Sequence, residues 1–252
     1  MKQLATLSIW LCGQIFSLAA NASNAGVPPG WSALQYDNYG NELLNKKKYA
    51  ESRKYFDAAI RVEPSRWTAY YNRATAFRME HNWSAAIKDF NETIRLQPAF
   101  FEASWERALT HELMGDYSAA IKDFDALAKV TFQVGNPGEM ALTVNQRAWV
   151  RATCTNASFR DGKLAVADAK KGCDLVKWKK AQYIDTLAAA SAEAGDFDAA
   201  VRNEEQAINV RKAEPQPKGN NAANDQKTSI QAYERRLELY KRHQPYRETP
   251  QA

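Results

Sequence analysis

Histidines, cysteines and paired charges are the residues of this chain that could take part in chemistry. The three histidines, His81, His111 and His243, stand in unrelated sequence contexts. A catalytic pair or a zinc site needs partner groups at defined spacings, and none accompanies them. A glycine-rich phosphate loop is also missing, and Asp161-Gly162 is better explained as a helix start capped by Asp161. The sequence therefore predicts a protein that is not an enzyme, with no catalytic residue, no metal and no cofactor.

Cys154 and Cys173 are the only cysteines beyond the first 22 residues. An oxidising compartment would permit a disulfide between them. However, Cys154 is predicted near the end of one helix and Cys173 about ten residues into the next, antiparallel helix, which separates them by roughly 15 Å along the axis. A disulfide requires Cα atoms within about 7 Å. The bond is possible only if the loop between the helices folds back.

Arginine and aspartate recur together at matching places in the sequence. Three arginines each precede a small residue, and an aspartate occupies one matching place in each segment that follows. Where the arginine is absent the aspartate is absent too, since Tyr39 stands with Tyr55 and Leu187 with Asn203. Arginine suits two-pronged pairing with a carboxylate. We therefore predict structural ion pairs between neighbouring helices: Arg73 with Asp89, Arg107 with Asp123, and Arg147 with Asp168.

The elements that position these residues follow a fixed period. Val62-Glu63-Pro64 and Leu96-Gln97-Pro98 each end an amphipathic stretch, and their prolines stand 34 residues apart. Small residues let two helices cross closely, aromatic residues fill the gap toward the next pair, and proline stops a helix because it lacks an N–H donor. The small class comprises Gly40, Ala74, Ala108 and Ala188, and the aromatic classes comprise Tyr49, Trp83, Tyr117 and Phe197, then Phe56, Phe90 and Phe124.

This pattern resembles that of the tetratricopeptide repeat family. The resemblance implies an all-α fold, a right-handed superhelical solenoid of antiparallel helix pairs with about five repeats and a C-terminal capping helix. It implies little about function, because the fold serves many partners. The expected repeats are 33–66, 67–100, 101–134, 141–178 and 181–211, followed by a flexible linker over 212–227, the capping helix over 228–243 and a loose tail over 244–252.

The fourth repeat, 141–178, is longer than the others. The extra residues fall near Cys154–Arg160, so an expanded loop is expected there. The segment resembles a known repeat variant, although Thr155-Asn156 stands where the variant often has Pro-Asp. Just before this repeat, glycine and proline predict a loop over 131–139.

The first 22 residues have the features of an export signal. They combine Lys2, a mostly apolar stretch from Leu4 to Ala20, and the cleavage pattern Ala20-Asn21-Ala22. Cleavage after Ala22 would give a periplasmic or secreted protein, with residues 23–32 as a linker. The alternative is an uncleaved membrane anchor, for which the apolar stretch is short against the roughly 20 residues of a span.

The concave face of the repeats is the expected partner site. Some members of the family hold the C-terminal carboxylate of chaperone tails with Lys and Arg and two Asn on three successive first helices. Here Asn41 and Asn72 match the two asparagines, whereas the cationic positions hold Asp37, Glu102 and Glu106. The comparison implies that such carboxylate tails are not bound, because the three acids would repel them.

Two explanations of the inverted charge remain open. Either the acids are solvated surface residues, or the groove selects an amine, a segment that bears Lys or Arg, or another basic surface. Tyr71 and Trp105 are expected to face the same groove, and an aromatic ring beside acids can hold a cation.

These features predict a non-enzymatic scaffold or adaptor that presents a groove to a peptide or protein partner. Nucleic acid is disfavoured, because 29 acidic residues are spread among 34 basic ones at a net charge of +5, without a basic block interleaved with aromatics. No small-molecule substrate is expected, and membrane contact is expected only if the signal is uncleaved. The alternatives are a membrane-anchored assembly factor, an enzyme accessory subunit, and a structural oligomer built through the C-terminal helix.

Overall fold

The computed structural model describes residues 26–215 and 222–248. Regular structure in these residues is helical, apart from one isolated β-bridge. The predicted all-α fold of repeated helix pairs is confirmed. The predicted export signal, 1–22, lies outside the described residues. None of the described helices is both long and apolar enough to cross a bilayer.

The chain divides into two compact units, Met1–Ala103 and Ser104–Ala252. Two helix pairs make up the first unit, because α1 packs on α2 and α3 on α4. A fifth helix begins in this unit and ends in the second. The bounds are α1 Ala33–Asn45, α2 Tyr49–Val62, α3 Trp67–Met79, α4 Trp83–Leu96 and α5 Phe101–Leu113.

Local sequence explains where the first helices start and how closely they cross. Ser32 begins α1 with a capping box, in which its hydroxyl accepts from the Gln35 amide and the Gln35 side chain accepts from the Ser32 amide. A methyl group on Gly40 would come within 2.6 Å of a Phe56 ring carbon, so the α1–α2 crossing needs glycine there. Ala74, the matching small residue of the second pair, is fully buried.

The second unit continues the pairing. In it α7 packs on α8, α9 on α10, and a final helix, α11, on α10. Aspartates at the N-caps of α6, α8 and α10 accept from the backbone amide three residues ahead. The bounds are α6 Tyr117–Val134, α7 Pro137–Thr153, α8 Gly162–Leu175, α9 Ala181–Glu193, α10 Phe197–Ala213 and α11 Ala222–Lys241, with a 3₁₀ turn at Ala157–Phe159.

The predicted loop over 131–139 is wrong. Helix α6 continues to Val134 and α7 begins at Pro137. Gly135 ends α6 in a left-handed conformation with φ of 74°, and the Asn136 side chain caps α7. The glycine and proline that predicted a loop therefore mark a two-residue helix junction.

The C-terminal boundaries also differ from the prediction. Helix α10 runs to Ala213 and α11 already begins at Ala222, inside the predicted linker of 212–227. Residues 244–248 are not a loose tail, since they contact α7 and α9. Tyr240 is completely buried and anchors the end of α11 in the core.

Candidate functional site

Bidentate ion pairs join the two helices of three repeats. Arg73 donates from Nε and Nη2 to the two carboxylate oxygens of Asp89, over 2.7 and 2.8 Å. Burial alone would lower the pKa of Arg73, but hydrogen bonds to Asp89 and Asp57 raise it above its ordinary value. These side chains hold helices together. The same geometry, over 2.6 to 2.8 Å, joins Arg107 to Asp123 and Arg147 to Asp168.

Two of these arginines also contact a second aspartate, which the recurrent pairing did not predict. Asp57 lies 2.6 Å from Nη1 of Arg73, and Asp125 lies 2.9 Å from Nη1 of Arg147. Each belongs to the second helix of the preceding pair, so the arginine also links one pair to the next. The signal was present, because both aspartates follow the recurrent buried phenylalanine of their helix.

Asp37 and Asn72 are not free groove residues, which corrects the prediction for this part of the face. Asp37 is only 5% exposed. Its carboxylate accepts from Arg66 Nε at 3.0 Å, Thr68 Oγ1 at 2.5 Å and Asn72 Nδ2 at 3.1 Å. A carboxylate at this depth is costly unless it is paired, and α3 with its preceding turn supplies the partners. The four side chains therefore tie α1 to α3.

The two aromatic residues predicted for the groove contribute to packing. The Tyr71 ring centroid lies 5.0 Å from that of Phe100 in an edge-on contact. Trp105 makes an edge-on contact with Phe124 at 5.5 Å. Both rings are half-buried, so each keeps some exposed surface. Among the polar groove residues, Asn41 and Glu102 are exposed and Glu106 is half-buried.

In the second unit, helix α7 carries a stripe of side chains on one face. Leu142, Gln146, Trp149 and Thr153 follow one another at spacings of three or four residues, which places them on the same side. Trp149 directly follows the small residue of its helix, as Asn41 does in α1. The stripe is therefore the part of the predicted partner face that α7 supplies.

An extended segment, residues 244–248, docks at the C-terminal end of this stripe. The amide of Glu248 donates to the carbonyl of Thr153 over 2.9 Å. The guanidinium of Arg247 donates to the carbonyl of Ala152 over 3.2 Å. The last carbonyls of a helix have no partner within it, so the segment satisfies acceptors that α7 leaves open.

Two side chains of the segment rest on Trp149. The Tyr246 ring centroid lies 5.8 Å from that of Trp149. Tyr246 is also contacted by Arg236 of α11, whose guanidinium lies 5.3 Å from the Tyr246 centroid. The indole N–H of Trp149 donates to the carboxylate of Glu248. Trp149 thus contacts an aromatic ring and donates from its indole N–H to an acid.

A carboxylate at the end of α9 holds the basic residue of the segment. Arg247 Nη2 lies 2.5 Å from Oε2 of Glu193. Arg160, in the expanded loop of the fourth repeat, donates from Nε to the other oxygen of Glu193 at 3.0 Å and from Nη1 to the carbonyl of Cys154 at 3.0 Å. The longer loop therefore positions the acid that pairs with Arg247.

A buried cluster of charges lies beneath α11. Arg236 Nε is 2.7 Å from Asp185 and 3.6 Å from Glu204, which is fully buried. Burial and the neighbouring Asp185 raise the pKa of Glu204 to about 10. Arg236 can balance only one of the two carboxylates, so burial disfavours a second negative charge beside Asp185.

Glu112 connects α5 to α7 within the second unit. Its two carboxylate oxygens accept from Nε2 of Gln146 over 3.1 and 2.9 Å. Burial raises the pKa of Glu112 to about 8, the Gln146 hydrogen bond opposes that shift, and the charge of Glu248 adds to it.

The possible disulfide between Cys154 and Cys173 is not formed. Both thiols are free and buried. Cys154 Sγ instead donates to the carbonyl of Asn156 at 3.4 Å. Burial raises the pKa of Cys173 to about 12, which keeps that thiol unreactive at neutral pH.

The three histidines have separate neighbours. His81 occupies a turn with φ of 59°, and His243 stacks on Phe197 at 5.0 Å. His111 lies 3.8 Å from Asp116. Within residues 26–215 and 222–248, no three His, Cys, Asp or Glu side chains are grouped so that they could hold a metal ion.

The sequence model of the tetratricopeptide repeat family matches residues 40–92 and 80–133. The predicted tetratricopeptide repeats are thereby confirmed over these residues. No curated protein matches the chain.

Solved structures extend the similarity to later residues. A MamA fragment from Desulfovibrio magneticus RS-1 is 15% identical, with a TM-score of 0.62 over 72% of this chain and 96% of its own. YrrB, titled a TPR protein with an unusual peptide-binding site, is 14% identical, with a TM-score of 0.58 over 71% and 87%. Pseudomonas aeruginosa pilF is 12% identical, with a TM-score of 0.53 over 83% and 90%. At these identities the likeness shows the fold alone.

Proposed function

We propose that the chain is a non-enzymatic scaffold or adaptor that holds a peptide or protein partner on the first helices of its repeats. The tetratricopeptide fold supports this role, since its members bind proteins or peptides and YrrB is described by its peptide-binding site. The observation that carries the proposal is the docking of residues 244–248 on α7. This surface already holds an extended segment through both backbone and side-chain contacts.

The compartment of the proposed function is the periplasm or the exterior of the cell. The export pattern of residues 1–22 supports it. We expect the mature protein to begin at Ser23, and mass spectrometry of the protein from its native host would measure this directly. An intact N-terminus in the membrane fraction would instead favour the anchored assembly factor.

The partner face is tested by a matched pair of leucine substitutions. Leu142 is 41% exposed on the first helix α7, and Leu164 is 48% exposed on the second helix α8. We expect Leu142→Glu to reduce the partner captured by cross-linking in the native host by about tenfold, the factor that corresponds to about 1.4 kcal/mol. Leu164→Glu should capture as much as wild type.

Equal capture by wild type and both variants would contradict the proposed face. Because both leucines are exposed, neither glutamate should unfold its helix, and circular dichroism of the two variants checks this. Loss of capture by Leu164→Glu alone would assign partner binding to the second helices.

A further inference from the structure

We propose that the α7–α9 surface binds extended peptides with an aromatic, a basic and an acidic residue in succession, and that Tyr246-Arg247-Glu248 of the chain is its resident occupant. A partner with the same chemistry would displace this segment. The inference rests on the proposed function and adds to it the chemistry of the partner and a competition within the chain.

The backbone contact fixes the register of the bound peptide. The amide of Glu248 reaches the carbonyl of Thr153 at 2.9 Å, and the same residue forms an isolated parallel bridge with Cys154. Any extended peptide can supply such an amide, since the contact involves no side chain. The open carbonyls at the end of α7 can therefore bind the backbone of a peptide of any sequence.

Side-chain contacts supply the selectivity. The ring of Tyr246 lies against Trp149, Arg247 meets Glu193 at 2.5 Å, and Glu248 accepts from the Trp149 indole. Glu193 is 14% exposed and is already held by Arg160. A preorganised and largely buried acid favours a basic group at this place in the peptide and disfavours an acidic one.

The segment can leave without unfolding the helix before it. Tyr233, Leu237 and Tyr240 of α11 are buried in the core, whereas residues 244–248 contribute half-buried or exposed side chains. Segments with few buried apolar contacts open locally at low cost. A partner peptide then competes with residues 244–248 for the α7–α9 surface. The strength of this competition is set by the effective concentration of the tethered segment, which is in the millimolar range for short tethers.

A labelled peptide of residues 244–252, titrated by fluorescence anisotropy, tests the inference. The full chain is compared with a chain that ends at His243. If the peptide binds with a Kd of about 0.1 mM and the tethered segment acts at about 1 mM, removal of the segment should tighten binding about tenfold. A scrambled peptide of the same composition should bind the shortened chain much more weakly, since it keeps only the backbone contact.

A double-mutant cycle in the shortened chain then tests the chemistry. Glu193→Gln should weaken the native peptide several-fold but should change little for a peptide that carries Arg247→Gln. Equal weakening of both peptides would overturn the assigned Arg247–Glu193 recognition. Circular dichroism confirms that each protein variant is folded.

Three results would overturn the inference. The shortened chain could bind the native peptide no better than the scrambled one, or the full chain could bind it as tightly as the shortened chain. The full chain could also form a concentration-dependent dimer by light scattering that the shortened chain does not form, which would place the segment on a second copy. Any of these results leaves the proposed function standing if the shortened chain captures a host partner and its Leu142→Glu variant does not.

Discussion

Arg73 ties three helices together, because it pairs with Asp89 in its own repeat and with Asp57 in the preceding one. Its pairing with Asp89 was predictable because the same two residue types recur together in three repeats and are missing together in two others. Asp37 was not predictable in this way. Its partners Arg66 and Thr68 lie about one repeat further along and follow no recurrent pattern, so the sequence suggested an exposed acid where the structure has a buried one.

Asp89→Ala should destabilise the fold and leave partner binding unchanged. Asp89 is 4% exposed, and its removal leaves Arg73 with only the partly exposed Asp57 as a partner, so we expect a loss of about 1 to 3 kcal/mol in the free energy of unfolding. Urea denaturation measures it. Asp57→Ala is the matched control, since its carboxylate is 38% exposed and contacts the same arginine. Asp57→Ala should lower the free energy of unfolding by less than about 1 kcal/mol. A folded Asp89→Ala protein that has lost partner binding would refute the structural role.

Glu204 should make the stability of the protein fall as pH rises. Its pKa is raised from 4.5 to about 10 in the folded state, so the folded protein keeps a proton that the unfolded chain has released. That contribution is complete below the unfolded pKa and is lost as pH rises toward the folded pKa, at up to about 1.4 kcal/mol per pH unit.

The Glu204→Gln variant isolates this effect, because glutamine resembles the protonated acid but cannot titrate. We expect the melting temperature of wild type to fall more steeply than that of the variant between about pH 5 and pH 9. Glu205→Gln, at the exposed neighbouring position, should keep the wild-type slope. An unchanged slope in Glu204→Gln would show that Glu204 is ionised in the folded protein.

At the scale of elements, the helices were predictable and two of their junctions were not. Small residues at helix crossings and prolines after α2 and α4 recur with the period, so they locate the pairs. Glycine and proline near position 135 were interpreted as a loop, because sequence alone does not distinguish a long loop from a compact junction. The start of α11 was missed because its first turn lacks apolar residues at helical spacing.

Gly162 at the start of α8 should resist substitution. A methyl group there would approach the backbone nitrogen of Ala194 to 2.5 Å, and backbone cannot move aside as a flexible side chain can. We expect Gly162→Ala to cost about 1 to 3 kcal/mol in the free energy of unfolding. Gly138→Ala is the matched control in the first turn of α7, where the nearest atom is 3.4 Å away. It should be neutral or slightly stabilising by urea denaturation. Equal effects of the two substitutions would contradict the close α8–Ala194 contact.

At the scale of the whole molecule, the sequence indicated the class of function but not the surface that supports it. The docking of residues 244–248 joins positions about 95 residues apart, as in the contact of Arg247 with Ala152. Such a contact follows no repeat period and involves no recurrent residue type. The sequence therefore predicts a groove by resemblance to carboxylate clamps and a loose tail over 244–252, and it carries no signal for the docking of residues 244–248 on α7.

Partner binding on the first helices can be tested by site-specific photo-cross-linking in the native host. A photoreactive phenylalanine analogue replaces Leu142 on α7 in one variant and Leu164 on α8 in another, both exposed leucines of the same repeat. We expect a discrete cross-linked partner from position 142 and none from position 164. A partner cross-linked from position 164 and absent from position 142 would contradict it.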